Sequence, residues 1–134
     1  MNKNLAEGLR WLEQARNDLQ DATVLYEARS YATSCFLCQQ SAEKAVKAFL
    51  YSKGTRAIIS HSLLTLLKQA ENYEKVFTSM VKLGRELDKH YIASRYPNFY
   101  SEGTPVRYYT KDIAKKCIRY ATSILGTVTR FLSP

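Results

Sequence analysis

Apolar residues recur at steps of three and four through most of the chain, the period of a helix with one buried side. Leu5, Leu9, Leu12, Leu19, Ala22 and Tyr26 keep this step, and Trp11, Ala15 and Leu25 widen the stripe. No proline precedes position 97, so the pattern predicts a first helix over about residues 4–28. Tyr31, Cys35, Cys38, Ala42, Ala45 and Phe49 form a second stripe, on a helix that Ser30 is placed to cap, that reaches about Ser52, and that Gly54 stops. Two long helices joined by a couple of residues make an antiparallel hairpin.

After a loop over 55–59, Ser60 is placed to cap a short helix from His61 to about Ala70, its leucines 63, 64, 66 and 67 supplying core. Val76, Met80, Leu83, Leu87 and Tyr91 fall in register on a fourth helix over about residues 73–93, with Gly84 allowing close approach. Residues 94–109, SRYPNFYSEGTPVRYY, hold two prolines, a glycine and five aromatics, too many turn formers for a helix. Thr110 reopens a helix to about Leu132, with Ile113, Cys117, Tyr120, Ile124 and Phe131 on one side and Lys111, Lys115 and Arg119 on the other. No segment alternates with period two for long, so the expected fold class is all-α: an up-and-down four-helix bundle plus a short additional helix, in one domain over residues 1–134.

Charge changes this picture. The chain carries +8, and residues 75–134 hold 11 basic against 4 acidic side chains, while residues 1–74 hold 9 against 8. The C-terminal half therefore supplies nearly all of the positive field, which favours polyanions or an acidic protein surface. No apolar run is long enough to span a bilayer, and the first residues lack the apolar core of a signal peptide, so a cytoplasmic location with no membrane partner is expected. Three cysteines fit a reducing compartment.

Cys35 and Cys38 form a CxxC pair, but they lie inside the second helix on its apolar stripe. A redox pair needs its first thiol at a helix N-terminus, and a zinc finger needs two more ligands at matching spacing. Packing is the expectation, with no metal and no cofactor. Gln40, Lys44, Lys47 and Tyr51 recur on the other side of that helix, as either a solvated face or part of a binding surface. Arg95, Tyr96, Arg107 and Tyr109 interleave guanidinium groups with rings ahead of the Lys111 face, a chemistry suited to phosphates and bases. The competing reading is that these rings cover helix ends. His61 and His90 are the only histidines, hence the side chains suited to acid–base work near neutral pH.

QQSAEKAVKAFL at 39–50, His61-Ser-Leu-Leu, LDKHYIASRYP at 87–97 and Tyr109-Thr-Lys-Asp112 follow one another in an order that resembles the HEPN domain, the higher eukaryotes and prokaryotes nucleotide-binding family. The resemblance covers nearly the whole chain. It implies four long helices plus a short one, usually paired as a homodimer. For function it implies a nucleotide-binding module, a metal-independent ribonuclease, or one member of a toxin–antitoxin pair whose other member is a small nucleotidyltransferase.

The ribonuclease branch carries an Arg, four to six residues, then His. Arg85 and His90 satisfy this spacing with Glu86 where a different polar residue is usual, and Arg56 and His61 satisfy it as well. Residues five apart on an unbroken helix lie about 140° apart, so Arg85 and His90 can converge only through helix deformation or a dimer mate. The expected function is nucleotide or RNA binding through Lys44, Lys47, His61, Arg95, Tyr96, Arg107, Tyr109 and Lys111. The alternative is RNA cleavage by Arg85 and His90 at a dimer interface.

Overall fold

The computed structural model describes residues 2–133, and every regular element among them is helical. Helix α1 (Lys3–Glu27) begins where the Asn2 side chain accepts from the Leu5 amide at 2.6 Å. It ends in a Schellman turn: Ser30 N–H donates to Leu25 O, Arg29 N–H donates to Tyr26 O, and Arg29 takes the left-handed conformation at φ 65°. Helix α2 (Tyr31–Ser52) ends the same way, with Gly54 in the left-handed position at φ 96°. Ser30 precedes α2 but its side chain makes no capping bond.

The α1–α2 hairpin closes on small residues. Ser34 and Ser41 on α2 donate to the carbonyls of Ala22 and Ala15 at 2.7 and 2.6 Å, so the two backbones approach closely along a buried seam. At Gly8 a Cβ would stand 2.7 Å from Ala48 O, an approach that only glycine permits. Helix α2 is the hub, packed on α1, on α7 (Lys111–Leu132), on α3 (Leu63–Ala70) and on α4 (Val81–Asp88). Its Phe49 is fully buried, with rings of Phe77, Phe131 and Tyr73 at 4.7, 5.4 and 6.1 Å.

Two boundaries differ from the pattern-based expectation. Ser62, not Ser60, caps α3 by accepting from the Thr65 amide, and Ser60 instead accepts from Ser62 N–H, which leaves His61 in the loop. The expected fourth helix over 73–93 is segmented into a 3₁₀ stretch (Lys75–Met80), α4 and a one-turn α5 (His90–Ala93). Three residues per turn shift the register at its start, so Phe77 enters the core while Val76 stays 40% exposed. Gly84 lies against α3, where a Cβ would meet Leu67 Cδ1 at 2.5 Å. The aromatic stretch after it contains a 3₁₀ turn (Pro97–Phe99) and a single helical turn, α6 (Pro105–Tyr108), each opened by proline at a position where its missing N–H costs nothing. Thr110 caps α7 through the Ile113 amide, as its sequence predicts.

Candidate functional site

The polar stripe of α2 is covered rather than solvated. Helix α1 lays Trp11, Gln14 and Asp18 over it, and Lys47 and Glu43 are 4% and 3% exposed. Lys44 Nζ binds the Asp18 carboxylate at 2.5 Å, which Gln14 also holds. Lys47 Nζ reaches Glu43 Oε2 at 3.3 Å and sits 5.6 Å from the Trp11 ring centre, and that ring packs on Tyr51. Burying such a pair is tolerable only because each charge meets its counter-charge. Glu43 Oε1 accepts no hydrogen bond among the described residues, and it faces His61 Nδ1 at 3.5 Å.

From His61 the contacts run outward along α5. The exposed imidazole stacks on Tyr91 at 5.7 Å and 22°. The Arg95 guanidinium lies 4.7 Å from Tyr91, 4.2 Å from Phe36 and 5.0 Å from Tyr96, and Arg95 Nε donates to Tyr91 O at 2.8 Å. Lys47, His61, Arg95 and Tyr96 are thus joined through Glu43, Tyr91 and Phe36, none of which was among the candidate binding residues. Beside them is an open concavity of about 330 Å³ formed by His61, Ser62, Asp88, Tyr91 and Ile92.

Asp88 fixes this arrangement. Its carboxylate accepts from the Leu63 and Leu64 amides, both at 2.9 Å, and from Gln39 Nε2 at 3.1 Å, so it caps α3 from a helix distant in sequence. The buried Gln39 amide also donates to His61 O at 3.2 Å and so holds the histidine backbone. A carboxylate at the positive end of α3 is favourable by charge as well as by hydrogen bonding.

His90, the residue before Tyr91, turns the other way. Its Nδ1 stands 2.6 Å from the Tyr109 hydroxyl, and burial pushes that phenol above the ordinary tyrosine range. His90, Glu86, Lys116, Cys117 and Tyr120 line a cavity of about 160 Å³ between α4–α5 and α7. Arg85 lines an adjoining concavity with Lys82 that shares Glu86, Lys116 and Tyr120. Helical pairing lapses at Lys89, although its φ and ψ remain right-handed at −57° and −27°. Arg85 and His90 therefore belong to neighbouring hollows rather than one. Glu86, held below the usual carboxylate range by Lys89 first and by Lys116, stands between them.

Arg56 bonds to Asn4 at the start of α1 and to Thr55 O, so the second Arg-to-His spacing brings no arginine to His61. Arg107 and Lys111 are exposed on α6 and at the start of α7, with no hydrogen bond, ion pair or ring contact to either group among the described residues. Cys35 and Cys38 are fully buried, in keeping with packing. Among the described residues no group of three or more His, Cys, Asp or Glu side chains is placed to hold a metal ion, and no helix is long and apolar enough to cross a membrane.

An all-α domain built on a long helical hairpin, with one histidine on a short helix and a second, from a loop, stacked on the next residue of that helix, is the class that this geometry defines. The chain matches the HEPN domain over residues 9–131, and it belongs to that family. It is similar to the crystal structure of TT1696 from Thermus thermophilus, at 35% identity and a TM-score of 0.87 over 92% of this chain and 97% of that one. ST0689, an archaeal HEPN homologue, matches at 36% identity and a TM-score of 0.77, over 95% and 98% of the two chains. A Methanocaldococcus jannaschii protein named "Putative toxin MJ1304" is 28% identical over 137 residues, covering 96% of this chain and 90% of that protein.

Proposed function

We propose that this HEPN protein binds a nucleotide or single-stranded RNA, with the strip from His61 through Tyr91 to Arg95 as the contact surface, and that it acts within a toxin–antitoxin system. The observation that carries the reading is Arg95. Its guanidinium lies 4.2–5.0 Å from the centres of three rings, and no hydrogen bond occupies its two terminal nitrogens among the described residues. A pre-ordered fork of this kind binds phosphate at little entropic cost, while the exposed rings of Tyr96 and His61 accept bases. The +7 balance of residues 75–134 supplies attraction over a longer range. The toxin assignment rests on the likeness to the archaeal protein of that name.

Fluorescence titration with single-stranded RNA and nucleotides at low salt tests this. Arg95→Ala and Tyr91→Ala should each weaken binding about tenfold or more, with affinity falling steeply as salt rises. Binding absent at low salt, or present and indifferent to both variants, would overturn the reading. Isolation of the protein as a homodimer, and association with a small nucleotidyltransferase, belong to the same proposal. Light scattering and co-purification with that partner examine them.

A second reading, metal-independent RNA cleavage, is favoured by one feature: the hollows of Arg85 and His90 adjoin and share Lys116. In that chemistry His90 exchanges a proton with the 2′-hydroxyl, and a cation stabilises the charge that develops on phosphorus-bound oxygens. Cleavage in chelator that His90→Ala abolishes supports this reading, and cleavage unchanged by that variant removes it.

A further inference from the structure

Among the described residues, one buried side-chain oxygen lacks a hydrogen-bond partner: Oε1 of Glu43. The other oxygen of that carboxylate is taken by Lys47 Nζ at 3.3 Å, while Oε1 faces His61 Nδ1 at 3.5 Å. The rest of the imidazole stands in solvent, its side chain 62% exposed. A neutral imidazole carries its proton on Nδ1 or on Nε2. With the proton on Nε2, the Nδ1 lone pair would face a buried carboxylate oxygen, where the low dielectric makes repulsion large and the oxygen stays unpaired. With the proton on Nδ1, the same oxygen gains a donor. Glu43 therefore selects the Nδ1–H tautomer, and Nε2 is turned outward as a hydrogen-bond acceptor. Gln39 on the His61 carbonyl and Tyr91 against the ring hold it there.

Besides the Tyr91 phenol, the other polar side chains of the adjoining concavity are already engaged. Asp88 accepts from the Leu63 and Leu64 amides and from Gln39, and Ser62 Oγ accepts from the Thr65 amide and donates to Asp88. His61 and Arg95 meet the same Tyr91 ring, so a strand with a phosphate on Arg95 runs past the imidazole edge. Along such a backbone phosphates only accept, and the donor that recurs at every nucleotide is the ribose 2′-hydroxyl, which DNA lacks.

We propose that the Glu43–His61 pair reads the sugar: His61 Nε2 accepts from a 2′-hydroxyl, so this surface takes RNA in preference to DNA of the same sequence. Glu43 is a positioning residue that touches no ligand and acts through the tautomer of His61. The inference rests on the reading of the strip as a nucleic-acid contact and adds the residue that chooses between sugars.

Two measurements test it. In the unsubstituted protein, long-range proton–nitrogen correlation spectra, at a pH where imidazole is neutral, should place the His61 proton on Nδ1. Glu43→Gln should reverse this: the amide oxygen accepts from Lys47, the amide nitrogen turns to His61, and Nδ1 must then accept. Fluorescence titration at low salt with labelled oligouridine and oligodeoxyuridine should show the ribose strand bound about five- to tenfold tighter. Glu43→Gln should bring that ratio close to one, and so should His61→Phe, which keeps a ring on Tyr91 and remains informative if the buried variant misfolds. An Nε2–H tautomer in the unsubstituted protein overturns the proposal whatever the strands do. Equal affinity for the two strands, or a ratio that His61→Phe leaves unchanged, overturns the sugar preference while the binding surface stands. Absence of binding by either strand removes both.

Discussion

His90 and Tyr91 are adjacent in sequence, and the two sides of the molecule that they face are built on opposite principles. The Tyr91 side presents exposed rings and a guanidinium, and beneath it lie buried charges: Glu43 paired with Lys47, and Asp88 on the amides of α3. The His90 side is partly enclosed, its imidazole held against a buried phenol in a hollow that Cys117 also lines. Exposed rings on a rigid charged base suit a ligand that arrives from solvent, and an enclosed titratable cluster suits a small reactant. One turn of helix, α5, serves both.

The comparison predicts where substitution should cost most. Lys47→Ala leaves Glu43 buried with only His61 nearby, and urea unfolding should show a loss of about 3–5 kcal/mol. The double change Glu43→Leu with Lys47→Met should cost much less, and an equal cost would mean that the pair matters through packing rather than charge. Asp88→Ala removes the carboxylate from two backbone amides and from Gln39, with an expected loss of about 2 kcal/mol. Hydrogen exchange should then quicken at Leu63 and Leu64 while α7 stays protected, which separates the Tyr91 side from the other.

Tyr109→Phe tests the His90 side and should cost about 1 kcal/mol near neutral pH. Its pH dependence is more diagnostic. The unfolded chain releases the Tyr109 proton near pH 10, whereas burial makes the folded state retain it. That contribution is complete below about pH 10 and is lost as pH rises further. The unfolding midpoint should therefore decline less steeply above pH 10 in Tyr109→Phe than in the unsubstituted protein. Arg29→Gly, remote from Glu43 and Cys117 in sequence, serves as the reference. The left-handed turn at φ 65° strains any side chain, so glycine should stabilise the fold by roughly 0.5–1 kcal/mol and leave ligand affinity unchanged.

Much of the fold was legible because helical period is a local property. Leu12, Ala15 and Ala22 on α1, Cys35, Ala42 and Phe49 on α2, and Cys117 and Ile124 on α7 are buried where the stripes put them. The cap at Ser62 and the register of Phe77 were not legible. Several serines or threonines near a helix start compete for the same amides, and a 3₁₀ start changes the period on which the reading depends. The candidate site divided along the same line. Arg95, Tyr96 and His61 were visible as residue types, but Tyr91 and Phe36, which order the guanidinium, resemble ordinary core positions in sequence. Lys44 and Lys47 read as either a solvated face or a binding surface, and their burial was not legible because Asp18 and Trp11, which cover them, come from another helix.

The sequence by itself determined that this chain is helical, that its second helix carries two dissimilar sides, and that its positive charge gathers after residue 74. Each follows from neighbours a few residues apart, where period and composition act directly. Only the tertiary structure decided that the polar side of α2 is roofed by α1, that Asp88 caps α3, and that Cys117 and His90 line one hollow. These depend on which helices pack together, and that choice is made by the shape of the whole buried surface rather than by any one stretch of it.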